Sequence, residues 1–161
     1  MEFTQNEFNK IKHNAEEMYE KIESIYCPYF KESVHFNAKG LEHLVFKKWN
    51  KTRLIHDQFM RFKYLKYAPF VIESSKTLQG IKTVNSMERI KRSSKWQTMM
   101  KLFTYYEFIA VLDTMNGKSR VKVIVKQIES NEKFFYSIIP FWGINKETNE
   151  RVLYGGNPER D

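Results

Sequence analysis

The ten residues SRVKVIVKQI, numbers 119–128, decide the fold class of this chain. Their polar and apolar side chains alternate, and a period of two predicts a half-buried β-strand. The preceding turn, residues 115–118, contains Asn-Gly, the dipeptide that most strongly indicates a tight hairpin. Aromatic and branched residues at 98–113 and 134–141 predict a strand on each side. The last third of the chain is therefore predicted to form a three-stranded antiparallel meander.

The first helix is predicted over residues 5–25, where apolar side chains recur at spacings of three and four. Thr4 and Glu7 have the spacing of a capping box, which would start this helix. Pro28 is expected to stop it, because proline disfavours helical backbone in the residue before it. The helix is acidic and precedes a basic body, so it is predicted either to pack on the domain or to act as a detachable, shielding or partner-binding segment.

Two further helices are predicted after a short strand at 33–37. Asn37 is expected to cap a helix from Ala38 to Trp49, and Thr52 to cap a stronger one. In the second of these helices, the predicted buried face is Leu54, Ile55, Phe59, Phe62 and Leu65. Its predicted wet face is Arg53, His56, Asp57, Arg61, Lys63 and Lys66. A short helix is expected from Pro69 to about Ser74.

Residues 75–97 lack firm periodicity, which predicts a mobile loop, and long loops are often functional. The predicted fold is therefore α+β, with N-terminal helices followed by a three- to four-stranded antiparallel sheet. Three segments are expected: an acidic helix at 1–25, one α+β nuclease-like domain at 26–142, and a polar tail at 143–161.

The charge distribution favours a polyanionic partner. The chain has 27 basic and 19 acidic residues, a formal net charge of +8 and a pI near 9.4. Residues 31–66 hold nine basic against three acidic side chains, and residues 76–101 hold seven against one. Both ends of the chain are acidic instead. A positive field confined to the middle of the sequence is typical of nucleic-acid binding, with RNA the expected partner.

Several classes of site are excluded or not indicated by the sequence. A single cysteine, Cys27, forbids an intramolecular disulfide and a cysteine-based zinc site, and favours a cytoplasmic protein. The sequence shows no signal peptide and no apolar run of membrane-spanning length. It also shows no phosphate-binding glycine loop, nucleophile elbow or metal-type histidine spacing, so neither a cofactor nor a metal is expected.

The features that remain are basic side chains, scattered histidines and hydroxyls on strands. This set suits metal-independent cleavage of RNA, which needs a base for the 2′-OH, cations for the phosphate and a proton for the leaving 5′-oxygen. His43, His35 and His56 are the candidate histidines of the central region, and a histidine titrates in the range that such chemistry needs.

Several runs resemble the phage-type members of the barnase–EndoU–colicin–RelE superfamily of small ribonucleases. They are Val34-His35-Phe36, the helix start Lys39-Gly40-Leu41-Glu42-His43-Leu44, the basic helix through Arg53 and Arg61, and the final strand Phe135-Tyr136-Ser137-Ile138-Ile139-Pro140. The resemblance covers about residues 29–141. It implies helices that precede an RNA-cleaving antiparallel sheet, in proteins that are often toxins. The extra N-terminal helix, the long 75–97 segment and the lack of a second helical histidine depart from it.

Carried over onto this chain, the resemblance implies specific roles. His43, Arg61 and Ser137 are the expected catalytic residues: the first as base or acid, the second stabilising charge, and the third orienting the phosphate. The resemblance also implies that Arg53 and Lys126 contact the RNA phosphate. Three further basic residues, Lys122, Arg120 and Arg92, are expected phosphate contacts from their charge and not from the resemblance. The residues numbered 120, 122 and 126 also share one face of their predicted strand, and such a row of cations suggests a ligand or acids above it.

Two other functions remain open from the sequence alone. One is a nucleic-acid-binding module without catalysis, in which Trp96, Tyr105 and Tyr106 could stack on bases. The other is a phage or mobile-element accessory protein whose basic face meets an acidic protein. A toxin would in turn need an acidic antitoxin or immunity partner, a role that the acidic helix at 1–25 would partly fill in cis.

Overall fold

A computed structural model of the protein describes residues 3–48, 51–114, 117–140, 143–144 and 151–152. The helices are α1 (Gln5–Glu20), α2 (Ala38–Val45), α3 (Ile55–Leu65) and α4 (Ala68–Ser74). The strands are β1 (Ser24–Cys27), β2 (Glu32–His35), β3 (Phe46–Lys48), β4 (Lys51–Thr52), β5 (Gly80–Arg92), β6 (Lys95–Thr114), β7 (Gly117–Ile128), β8 (Phe134–Pro140), β9 (Gly143–Ile144) and β10 (Arg151–Val152). The α+β class is confirmed, but short strands separate the helices, so the predicted order of helices first and sheet last holds only in part.

Helix α1 begins as its sequence predicts and ends earlier. The Thr4 side chain accepts a hydrogen bond from the Glu7 amide, and the Glu7 carboxylate accepts one from the Thr4 amide, which confirms the capping box. The helix ends at Glu20 rather than near residue 25, and Pro28 does not stop it. Residues 24–27 form β1 instead, because they pair with β2 and thereby satisfy their backbone groups at the edge of the sheet.

Helix α2 is shorter than predicted. The Asn37 side chain accepts a hydrogen bond from the Gly40 amide, so the predicted cap is confirmed. The helix stops at Val45, because the next residues form β3 and pair with β4. Trp49, the predicted end, lies outside the described residues.

The faces of α3 were predicted correctly only in part: Phe59, Phe62 and Leu65 are buried as expected. Thr52 lies in β4 and does not cap the helix; its N-cap is Leu54, with no side-chain cap. Leu54 is 79% exposed and Ile55 is 45% exposed, whereas Arg53 and Arg61, predicted to face water, are buried. These arginines are buried because they find polar partners inside the molecule. Helix α4 is confirmed, with proline in its first turn.

The main sheet has six strands in the order β1-β2-β8-β7-β6-β5. The predicted meander of β6, β7 and β8 is confirmed and forms its centre. Strand β5 extends the sheet on one side, and β1 and β2 extend it on the other, so three to four strands was too few. The contact between β2 and β8 is parallel, while the other strand pairs are antiparallel.

The segment at 75–97 is largely β-structure and not a mobile loop. Gly80–Arg92 forms β5, which pairs with β6 over its whole length. Ser93 and Ser94 make the turn, both with positive φ, at 46° and 66°. Both faces of β5 mix polar and apolar side chains, so the sequence has no clear period of two even though the backbone is extended.

The core has two layers, one on each face of the sheet. The larger contains the buried faces of the helices with Phe108, Val123 and Phe135, and the smaller contains Phe103, Tyr105, Ile124, Ile128, Phe134, Tyr136 and Ile139. Gly40 lets α2 approach β8 closely. A Cβ at that position would overlap the Phe135 carbonyl oxygen and lie 2.5 Å from the Tyr19 hydroxyl.

Two regions of the prediction are only partly described. In the predicted polar tail, β9 and β10 form an antiparallel pair, and the other tail residues lie outside the described ranges. Of the predicted Asn-Gly turn, Gly117 is described, with φ at 95°, whereas Met115 and Asn116 are not. Within the described ranges, no helix is long and apolar enough to cross a membrane.

Candidate functional site

Four predicted site residues from separate parts of the chain meet beside β8. His43 lies on α2, Arg53 directly before α3, Arg61 on α3 and Ser137 on β8. All four are buried, with exposed fractions of 6%, 3%, 2% and 0%. Together with Asp57, these residues are called the β8 cluster below. The helices bring them together because α2 and α3 both pack against this strand.

The two arginines of the cluster share one carboxylate. Arg53 donates to Asp57 Oδ2 from Nη1 at 3.2 Å, and Arg61 donates to Asp57 Oδ1 from Nε at 2.7 Å. Asp57 and Arg61 lie one turn apart on one face of α3, and Arg53, two residues before the helix, reaches the same carboxylate. Burial, followed by the positive charge of Arg61, lowers the pKa of Arg53, and Asp57 opposes both effects, so that the pKa lies at about 10. Asp57 thus compensates for part of the positive charge.

The His43 imidazole is enclosed between an arginine and an aromatic ring. Arg53 donates from Nε to the His43 carbonyl oxygen at 2.9 Å, and its Nη2 lies 3.1 Å from His43 Nε2. On the other side, the imidazole stacks on the Tyr136 ring, with 3.8 Å between centroids. Because arginine has no acceptor, this contact favours a His43 ring nitrogen with a free lone pair.

The pKa of His43 is held well below its ordinary value of 6.5. Burial is the largest cause, followed by the positive charges of Arg53, Arg61 and Lys126. A hydrogen bond with the Tyr136 backbone partly opposes them. The imidazole is therefore neutral at physiological pH, and a neutral imidazole can accept a proton.

Ser137 is held by Arg61 and not by solvent. Arg61 Nη1 donates to the Ser137 hydroxyl. The hydroxyl is fully buried, because α3 covers the strand there. The pairing of β7 and β8 shifts register between Ile124 and Val125, leaving Tyr136 as the extra residue of a bulge. At this bulge the Tyr136 ring stacks on His43, and the Ser137 hydroxyl accepts a hydrogen bond from Arg61 of α3.

Lys126 approaches the cluster from the neighbouring strand, inside a cage of aromatic rings. Its ammonium lies 3.9 Å from the Phe103 ring centroid, 4.7 Å from that of Tyr136 and 5.2 Å from that of Tyr105. The negative faces of the rings favour a cation at this position. Lys126 also contributes to lowering the pKa of His43, so its charge acts on the cluster.

The remaining predicted phosphate contacts are dispersed. Lys122 is buried and lies 3.3 Å from the Glu107 carboxylate, so an acid accompanies one member of the predicted cation row. Arg120 is exposed, toward the far end of β7. Arg92 lies at the β5–β6 turn, eight strand residues past Phe103, or roughly 26 Å along the strand at about 3.3 Å per residue. The structure does not bring these three into the β8 cluster.

The other two candidate histidines, His35 and His56, contact residues outside the β8 cluster. His35 lies 3.8 Å from Glu132, and the ring of exposed His56 lies 5.8 Å from that of Phe3. Among the candidate histidines and helical arginines, the structure therefore brings together His43, Arg53 and Arg61 but not His35 or His56.

Comparison with protein-family models, with curated proteins and with solved structures gave no match.

Two residues of the site were missed by sequence reasoning. Asp57 was placed on a wet face, although its spacing of four from each arginine was a usable signal. Tyr136 had no signal, because its contact with His43 depends on the packing of α2 on β8. Across the described residues, no group of three or more histidine, cysteine, aspartate or glutamate side chains is arranged to hold a metal ion.

Proposed function

We propose that the protein is a toxin-like ribonuclease that cleaves RNA by attack of the 2′-OH on the adjacent phosphate, without a metal. The single observation that carries this proposal is the meeting of His43, Arg61 and Ser137 in one cluster. They lie on three different elements, and chain spacing alone would not bring them together. A neutral base, cations and a hydroxyl are the groups that this chemistry needs.

In the proposed reaction, His43 takes the proton of the 2′-OH. The 2′-oxygen then attacks phosphorus, and the bond from phosphorus to the 5′-oxygen breaks. The products are a 2′,3′-cyclic phosphate and a 5′-hydroxyl that takes its proton from water. Arg53, Arg61 and Lys126 stabilise the charge that develops on the phosphate, and Ser137 orients it. Because the pKa of His43 is lowered, its basic form persists below pH 6.5.

The proposal entails that the cluster becomes exposed when RNA binds. A phosphodiester cannot reach groups that are 0–6% exposed without displacing neighbouring atoms. Hydrogen bonds of functional groups often rearrange when substrate binds, and the Arg53 contact with the His43 ring is one that has to change.

Membership of the barnase–EndoU–colicin–RelE superfamily is part of the same proposal. It is supported by the sequence resemblance together with the α+β fold. A ribonuclease of this kind would act in the cytoplasm. It would also require an acidic antitoxin or immunity protein, since a basic enzyme is best blocked by complementary charge.

The test is incubation of the purified protein with total RNA and with an end-labelled single-stranded RNA, in EDTA. Fragments that end in 2′,3′-cyclic phosphate are expected. The variant His43→Gln should reduce cleavage by at least about a hundredfold, the usual contribution of a general base. Circular dichroism and thermal unfolding establish that the variant is folded.

His13→Gln is the matched control, because this histidine is on the exposed face of α1. It should cleave like the unaltered protein. Cleavage that survives His43→Gln, or that requires a divalent metal, would contradict the proposed mechanism.

Burial of the cluster favours a second candidate, a non-catalytic RNA-binding protein. In that case Arg53, Asp57 and Arg61 stabilise the fold, and an exposed surface binds RNA. The same assay separates the candidates: intact RNA with a salt-sensitive mobility shift supports binding without cleavage.

A further inference from the structure

The β5–β6 hairpin extends well beyond the rest of the sheet. The register of β7 on β6 runs from Phe103 to Thr114, and Phe103 pairs with Val84 on β5. Residues 85–102 therefore continue past β7 as a two-stranded ribbon, closed by the Ser93–Ser94 turn. These residues are called the arm. Both faces of the β5 part of the arm mix polar and apolar side chains, as expected for a strand at the protein surface and not for one in the core.

The arm exposes an unusual set of side chains. Met87, Trp96 and Met100 are 57%, 59% and 63% exposed. The register places Met87 opposite Met100 and Lys91 opposite Trp96, so these side chains share one face of the ribbon. A face that alternates large apolar and basic side chains is suited to bases and phosphates together.

Charge limits what can bind this surface. The arm holds five basic residues and one acidic residue. The basic ones are Arg89, Lys91, Arg92, Lys95 and Lys101. Two copies of such a ribbon would repel each other, whereas a polyanion would be attracted.

The one acid of the arm is engaged in holding it in place. Glu88 accepts one hydrogen bond from Lys39 on α2 at 2.8 Å and lies 3.2 Å from Lys101. Burial raises the pKa of Glu88, but the two lysines lower it more, so the carboxylate stays ionised. Glu88 thus neutralises Lys101 and leaves the outer arm positive.

The same contact links the arm to the β8 cluster. Lys39 and His43 are four residues apart on α2, so they lie on one face of that helix about one turn from each other.

The outer part of the arm also carries a preformed stacking surface. The Arg89 guanidinium lies 4.9 Å from the Trp96 ring centroid, which orients the ring.

We infer that the arm is the surface that binds single-stranded RNA and presents it to α2. Trp96 stacks on an unpaired base, and Arg89, Lys91, Arg92 and Lys95 contact the phosphates. The inference takes its ligand from the proposed function, but it assigns a different surface, one that is exposed without any rearrangement.

The experiment measures binding without cleavage. The probe is a fluorescent 20-nucleotide 2′-O-methyl RNA, whose blocked 2′-oxygen cannot attack the phosphate. Anisotropy is recorded over a range of salt concentrations for the full chain and for a variant in which four arm cations become alanine: R89A, K91A, R92A and K95A. Affinity at low salt should fall at least about tenfold, and the slope of log K against log salt should decrease by about 3.

The matched control removes the same charge from exposed positions elsewhere: K10A, K21A, K66A and K118A. It should change affinity by less than about threefold. A separate variant, Trp96→Ala, keeps the charge and should weaken binding about five- to a hundredfold through lost stacking. The same probe annealed to its complement should bind less tightly, because stacking needs an unpaired base.

Each outcome decides one of the two proposals. Equal losses in the arm variant and the control, or no effect of Trp96→Ala, would overturn the arm inference. So would arm-dependent formation of dimers, measured by light scattering, without arm-dependent RNA binding. Arm-dependent binding together with intact cleavable RNA would support the arm and contradict the ribonuclease.

Discussion

At the scale of the residue, His43 shows how neighbours decide the state of a titratable group. The sequence marked it as a candidate catalytic histidine, which leaves its charge open. In the structure, its imidazole is enclosed by Tyr136, Arg53 and the field of Arg61 and Lys126. Adding a proton there places a fourth positive charge in a buried site, with Asp57 as the nearby carboxylate of the cluster.

The protein should therefore lose stability as the pH falls below about 6.5. The folded pKa of His43 is lowered, so below its ordinary value of 6.5 the unfolded chain binds a proton that the folded chain does not. This one group should reduce the free energy of unfolding by about 1.4 kcal/mol per pH unit. Urea denaturation between pH 5 and pH 8 measures the effect.

His43→Gln should remove this dependence, so the stability difference between the variant and the unaltered protein narrows as the pH falls. His13→Gln, on the exposed face of α1, should leave the dependence in place. A constant difference between His43→Gln and the unaltered protein across this pH range would refute the assignment.

At the scale of the element, α3 is organised around a polar interior contact. Asp57 lies between two arginines that are 1% and 2% exposed in their side chains, while its own side chain is 19% exposed. Buried guanidiniums are tolerated only when hydrogen-bonded and compensated, so the helix turns this face inward and leaves Leu54 and Ile55 in water.

Asp57→Ala should destabilise the protein by about 2–4 kcal/mol, because it removes one partner of buried charges. Asp57→Asn keeps the shape and removes the charge, so it should cost less than the alanine variant but still more than about 1 kcal/mol. The control is Glu73→Ala, which replaces an exposed glutamate on α4. Its free energy of unfolding should lie within about 0.5 kcal/mol of that of the unaltered protein. Equal stability of the Asp57 and Glu73 variants would show that the arginine contacts are not stabilising.

The elements that were predicted correctly carry local signals. The Thr4–Glu7 capping box, the Asn37 cap and Pro69 each act through the backbone within one helical turn. The wrong helix ends share one cause: residues 24–27 and 46–48 leave the helix because they find strand partners. Such pairing is decided between segments, and it overrides the weak local preference for helix.

At the scale of the whole molecule, the helices pack on a six-stranded sheet while the arm projects from it. The two core layers contain no residue of 85–102 among their buried members. The cluster and the arm are therefore separable parts: one depends on the packing of α2 and α3 on β8, and the other on a ribbon joined to the sheet at Val84 and Phe103.

Shortening the arm should leave the fold intact. Replacing residues 86–101 by Asn-Gly joins Asn85 to Leu102 through a two-residue turn, and these two already pair across the strands. The free energy of unfolding should change by less than about 2 kcal/mol, because the main loss is the exposed contact of Glu88 with Lys39. Thermal and urea unfolding measure this; loss of a cooperative transition would show that the arm is part of the folding unit.

The sequence alone determined the α+β class, the central meander, the start of α1 and the concentration of positive charge in the middle of the chain. These properties depend on periodicity and capping, which act over a few residues, and on composition, which requires no contact between residues. It also singled out His43, Arg61 and Ser137 as candidates, through the resemblance to small ribonucleases.

Only the tertiary structure decided which side chains meet and which face water. It placed Arg53 and Arg61 inside, brought Asp57 and Tyr136 to them, and separated Arg92 and Arg120 from the cluster. It also made residues 80–92 a strand, although neither face of that strand is apolar. The physical reason is the same in each case: burial, charge compensation and strand pairing are interactions between segments distant in the chain, and no local pattern encodes them.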